Sequence, residues 1–121
     1  AVGVVAYNGY TAAAKVNATK TIHAQTVKYM AAESQKCSLG ESSYAGTQTC
    51  PVTASKIVTG TIAQLTDKNP HDTTAESVRE GTTYVLGYVQ IKASGTNVIV
   101  KTCTKTGCAT ADQMTSTVAT Q

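Results

Sequence analysis

The chain has no tryptophan and no phenylalanine, and its six tyrosines are the only aromatic residues among 121. Its core therefore lacks the largest apolar anchors and must be filled by valine, isoleucine, alanine and tyrosine. There are only two prolines and two histidines, and charged residues make up 14% of the chain. No stretch approaches the roughly 20 apolar residues that span a bilayer, and the apolar opening Ala1-Val-Gly-Val-Val-Ala6 is far too short. No cleavable leader pattern is present. The formal charge of +3 comes from lysines and one arginine scattered among acidic residues, without a basic tract. Nucleic-acid modules cluster Lys and Arg on one face. The only loose cluster here is Lys92, Lys101 and Lys105 around a predicted hairpin, and its default reading is a solvated face.

Cysteine, by contrast, is well represented. Four cysteines in so small a chain suit two disulfides, which persist where thiols are not continually reduced, so an extracytoplasmic protein is expected. Four cysteines allow three pairings, of which Cys37 with Cys50 and Cys103 with Cys108 closes the shortest loops and is the expected one. Closing a loop of about 15 residues contributes ~3 kcal/mol in the chain-entropy picture, and the shorter second loop contributes less. Since the cysteines argue for export and the chain shows no export signal, that element is expected to have been removed, with Ala1 to Ala6 as its remnant. A length of 121 residues fits one domain.

From Tyr7 to Lys36 there is no proline and only Gly9, while Ala, Lys, Gln and Glu dominate, which predicts a helix running to about Cys37. On a 3.6-residue wheel Ala12, Ala13, Val16, Val27, Met30 and Ala31 share a stripe with Thr19 and His23, expected to pack on a sheet. The opposite side carries Tyr7, Tyr10, Ile22 and Tyr29, more apolar surface than a solvated face needs, and these are the expected subunit contacts. Between Cys37 and Cys50 the Ser, Thr and Gly content predicts a loop. Ile57, Val58, Ile62 and Leu65 follow helical spacing and predict a short helix after Pro51. Asp67 to Thr74 reads as a turn-rich connector around Asn69-Pro70. The β-branched runs Thr82 to Ile91 and Asn97 to Thr102, separated by Ala93 to Thr96, predict a hairpin, with a third strand near Met114 to Ala119. The expected fold class is α+β: a long N-terminal helix on a three- to four-stranded antiparallel sheet. Helix occupies 1–36, a disulfide-pinned loop, short helix and turn 37–80, and sheet 81–121.

No catalytic set is legible. His23 lies on the helix stripe and His71 in a turn, with no nucleophile–base pair that spacing supports, so a packed histidine and a surface histidine are expected. Asp67, Asp72, Glu76 and Glu80 are too loosely spaced for a calcium loop, and no cofactor or metal is expected. Cys103-Thr-Lys-Thr-Gly-Cys108 lacks the second close pair that redox and zinc motifs use, which favours a structural bridge. Asn17-Ala-Thr19 matches a glycosylation triplet but falls on a helix and reads as chance.

Three segments carry a family resemblance. The opening A-V-G-V-V-A-Y-N-G-Y-T-A-A-A-K-V resembles the midsection of the first helix of type IV pilins, where an A-Y-x-x-Y-x-x-x-A-K/Q-V-like pattern recurs. Lys68-Asn-Pro-His-Asp72 resembles the K-N-P-Y-D turn after a short helix in some bacterial pilins, and Cys103 to Cys108 is similar to their C-terminal cysteine-delimited loop. The resemblance covers most of the chain in layout. It implies a long helix on an antiparallel sheet and a structural subunit of an extracellular pilus, supporting adhesion, twitching motility or DNA uptake through assembly. Its partners would be other pilin subunits, with the full-length form anchored in the inner membrane before assembly and methylated at its N-terminus. The family's N-terminal phenylalanine, nearby glutamate and apolar helix half are not in this chain, and the pair Cys37 and Cys50 is additional, so a soluble, truncated head domain is expected. Alternatives are a pseudopilin of a type II secretion system, a minor pilin, or a DNA-binding pilin using Lys92, Lys101 and Lys105.

Overall fold

The first described element forms because its alanines, lysines and glutamines favour helix and its start is capped. In the computed structural model, which describes residues 11–120, helix α1 spans Ala12–Ser38. Thr11 is extended and its hydroxyl accepts from the Ala14 backbone N–H at 3.2 Å, satisfying one of the orphan donors of the first turn. At the other end Leu39 N–H bonds back to Gln35 and Lys36, and Gly40 takes φ +105°, where a side chain would be strained.

A small hairpin follows, β1 (Ser43–Tyr44) and β2 (Gln48–Thr49), then helix α2 (Ala54–Gln64), N-capped by Thr53. The stretch expected as an unstructured loop therefore contains a paired ribbon, and Tyr44 at its tip is completely buried. A second hairpin joins β3 (Lys68–Asn69) to β4 (Asp72–Glu76), within the segment expected to be only a connector.

The main sheet comprises β5 (Val78–Glu80), β6 (Val89–Ser94), β7 (Asn97–Cys103) and β8 (Gln113–Ala119), in that spatial order. β6 to β8 form an antiparallel meander, whereas β5 runs parallel to β6, so the sheet is mixed rather than purely antiparallel. That parallel pair requires a crossover, and residues 81–88 supply it. The strand expected from Thr82 accordingly begins only at Val89, because Thr82 to Tyr88 cross the outer face of the sheet. Gln90 donates there to the Thr83 carbonyl at 2.6 Å, and the Tyr84 and Thr115 hydroxyls bond to one another.

Side-chain alternation along the strands sends Val89, Ile91, Val98, Val100 and Val118 to one face, where they meet Ile22 and Met30 of α1 and Ile57 and Val58 of α2. Tyr44 lies between the helices. Its ring meets Tyr29 edge-on at 6.5 Å, its hydroxyl bonds Thr61 at 2.6 Å, and Gly60 lets α2 lie against it, since a Cβ there would press into the ring. Cys37 is joined to Cys50 and Cys103 to Cys108, so one bridge ties the end of α1 to the residue that follows β2 and the other closes a loop at the end of β7.

Candidate functional site

Helix α1 links the core to the exposed surface, and its buried line differs from the expected stripe. Thr19, Ile22, His23, Thr26, Met30 and Ser34 are the fully buried positions. Of the expected sheet-facing residues Met30 is inside, Val16 and Val27 are half-buried, and Ala12, with its neighbour Ala13 and with Ala31, is exposed. Ile22, expected as a subunit contact, is 1% exposed and belongs to the core, and Tyr29 is half-buried against Tyr44. Tyr7 and Tyr10 lie outside the described residues. The line is displaced because hydroxyl side chains can be buried once satisfied locally. Thr19 donates to the Lys15 carbonyl at 2.8 Å and Thr26 to that of Ile22 at 2.7 Å. Thr19 and His23 lie on the expected stripe, whereas Thr26 and Ser34 do not.

His23 is held on both sides, with Nδ1 2.7 Å from the Thr102 hydroxyl and Nε2 2.8 Å from the Ser116 hydroxyl. Burial lowers its pKa from 6.5, so the neutral ring is favoured, donating from one nitrogen and accepting at the other. The Ser116 to His23 distance alone would suit a nucleophile and base. However, the other ring nitrogen faces a neutral hydroxyl rather than a carboxylate, which stabilises an imidazolium less. The arrangement pins α1 to β7 and β8. Sequence spacing could not reveal it, because Thr102 and Ser116 lie 79 and 93 positions away.

The K-N-P-H-D segment is a structural lock. Asn69 is fully buried; its carboxamide donates to the Leu86 carbonyl at 3.0 Å and accepts from His71 N–H at 2.8 Å. Gly87 packs directly on that carboxamide with φ +76°. His71 Nε2 lies 3.1 Å from the Thr104 carbonyl, which can only accept, so that nitrogen carries the proton. Burial lowers the His71 pKa, with Lys15 acting in the same direction and the Thr104 bond opposing.

The three lysines weighed for nucleic acid are not brought together. Lys92 pairs with Glu80 at 2.9 Å, and Lys101 donates to the Thr82 carbonyl at 3.2 Å and lies over the Tyr84 ring. These two border a depression of about 350 Å³. Lys105 instead lies in the Cys103 to Cys108 loop and lines a separate hollow of about 620 Å³ with Lys15, His71 and Asp112. The positive charge is concentrated elsewhere. Lys15, Lys20, Lys28 and Lys36 against Glu33 give α1 a charge of +3, equal to that of the whole chain, so the remainder balances.

The acidic residues are likewise dispersed. Asp67 is buried, which raises its pKa; Asp72 accepts from the hydroxyl and N–H of Thr74, which lowers its own; Glu80 faces Lys92. Among the described residues no three His, Cys, Asp or Glu side chains converge in a way that could hold a metal ion. Likewise among the described residues, no helix is long and apolar enough to cross a membrane. No protein-family model, curated protein or solved structure matches this chain.

Proposed function

We propose that this chain is the globular part of a fibre subunit of the type IV pilin kind. In this reading it is a non-catalytic structural protein that packs against copies of itself in an extracellular filament, and its longer form is held in the bacterial inner membrane before assembly. The observation that carries the reading is the reach of α1. From Thr19 onward the helix buries a residue on nearly every turn, yet none of Ala12 to Ala18 is fully buried although all are helical. The helix thus runs about 10 Å beyond its first fully buried residue. Ala14, Lys15, Val16 and Ala18 are only half-buried and Ala12, Ala13 and Asn17 are exposed, and a helical extension so lightly packed contributes little stability by itself and has surface left for a neighbour to cover.

Two further observations support the reading. Both disulfides tie loops to the ends of regular elements, as an extracellular domain with few large apolar side chains requires. The polar clusters at His23 and Asn69 are consumed in holding the fold, and the lysines that would favour a DNA-binding pilin are divided between two surfaces. Filaments sheared from cells that make the protein, digested and read by mass spectrometry, test this directly. Peptides of this chain are expected in them, and their copy number distinguishes the main subunit from a minor pilin. Filaments lacking these peptides, from cells shown to contain the protein, would overturn the proposal.

A further inference from the structure

The two edges of the main sheet are protected very differently. β5 is three residues long and carries Arg79 and Glu80, the short and charged character with which proteins blunt an open edge. β8 is seven residues long, and from Gln113 to Thr120 it contains no charge and no proline. Its pairing with β7 runs without a bulge from Asn97 opposite Ala119 to Cys103 opposite Gln113. Among the described residues no strand pairs with its other side.

The direction of the free backbone groups follows from the ladder. Thr120 N–H bonds the Thr96 carbonyl, and Thr104 N–H bonds that of Asp112, each between residues directly opposite one another. Bonded pairs in an antiparallel ladder recur every second residue. Met114, Ser116 and Val118 therefore bond β7, whereas the N–H and C=O groups of Thr115, Thr117 and Ala119 point to the open side. All three of these residues are exposed.

A second, independent feature lies beside that edge. Between β8 and α1 is a hollow of about 520 Å³ lined by His23, Ala24, Val27 and Lys28 with Met114 to Ser116. Ala24 and Val27 give it an apolar wall and Lys28 a cationic rim. Lys20, one turn before Ala24, falls on the same helix flank. Neither lysine takes part in the ion pairs among the described residues, which join Glu33 to Lys36 and Glu80 to Lys92. Strand addition uses these two parts together: main-chain bonds supply affinity and a flanking pocket selects alternate side chains.

We propose that the open edge of β8 docks an extended peptide segment bearing carboxylates at alternate positions, which joins the sheet as a fifth strand with its acidic side chains toward Lys28. Charge complementarity selects this occupant. A second copy pairing β8 to β8 would bring an uncharged strand and its own Lys20 and Lys28 flank against the first. The proposal is independent of the fibre reading, since it concerns a peptide ligand of the folded chain.

The test uses the 121-residue chain and a synthetic peptide of alternating threonine and glutamate matched in length to β8. On binding, the amides of Thr115, Thr117 and Ala119 are expected to gain protection from hydrogen exchange, while those of Met114, Ser116 and Val118 change little. Lys28→Glu should weaken the peptide about fivefold or more, corresponding to about 1 kcal/mol, and should favour a threonine–lysine peptide instead. Thr117→Pro removes an edge N–H and should abolish binding. A peptide N-methylated on its pairing edge leaves the protein untouched and should also fail. Equal affinity for the glutamate and lysine peptides, or binding that leaves the three edge amides unprotected, overturns the proposal. Dimerisation without peptide that protects those same amides assigns the edge to a second copy and overturns it as well.

Discussion

Protonating His23 places a charge between α1 and the sheet, where its ring nitrogens bond the neutral hydroxyls of Thr102 and Ser116. Its folded pKa lies below the unfolded value of about 6.5, so its contribution to stability is present above that value and is lost as the pH falls through the folded pKa. His71 shifts in the same direction, also through burial. Glu33, lowered mainly by its bond from Lys36, adds an acid-sensitive contribution at lower pH, and Asp67, raised by burial, works the other way. The midpoint of urea unfolding is therefore expected to fall between pH 7 and pH 5. His23→Gln should flatten that fall; a fall of unchanged depth in the variant assigns it to His71. Gly87 is a second sensitive residue. Alanine there would place a methyl group in the Asn69 carboxamide at a positive φ, at a cost of about 2 kcal/mol or more in urea unfolding. The Asn-Pro turn was legible from residue type, but its lock was not, because Leu86 and Gly87 reach Asn69 only through the folded chain.

The behaviour of single elements follows from where their polar groups are satisfied. Helix α1 and helix α2 were both legible, one from sustained propensity and the other from the spacing of Ile57, Val58 and Ile62. The facing of α1 was legible in part: Thr19, His23 and Met30 lie on the expected stripe and are buried, whereas Ile22, Thr26 and Ser34 are buried off it. Two of its buried positions are threonines bonded to their own helix, and a third is a histidine satisfied by the sheet. Similarly, the segment between Cys37 and Cys50 reads as a loop by composition, yet it delivers Tyr44 into the core between Tyr29, Gly60 and Thr61. Tyr44→Ala is expected to lower stability by about 3–5 kcal/mol through the cavity it leaves. Tyr44→Phe should cost about 1 kcal/mol by removing the bond to Thr61. Equal losses for the two variants in chemical unfolding would show that the ring packing contributes nothing beyond the hydroxyl bond.

At the scale of the molecule, charge and covalent staples are distributed unevenly. The whole net charge of +3 resides on α1, while β8 is uncharged. Replacing Lys15, Lys20 and Lys28 together by glutamine takes the formal charge from +3 to zero at pH 7 without touching a buried residue. The variant should be least soluble near neutral pH, whereas the parent, with a sequence pI of about 8.7, should be least soluble near that value. A parent and variant with the same solubility profile would show that the α1 charge does not govern association.

Local chemistry was enough to determine the α+β class, the two helices, the β6 and β7 hairpin and the strand before the C-terminus, because helix propensity, helical spacing and β-branched runs act over a few residues. Only the tertiary structure decided that Ile22 and Thr26 of α1 lie inside, that β5 joins the sheet in parallel, that Lys105 parts from Lys92 and Lys101, and that among the described residues β8 is left as an open edge. Each of these depends on groups distant in sequence meeting in space. A threonine, histidine or strand edge shows its partner, or the want of one, only after the chain has closed around it.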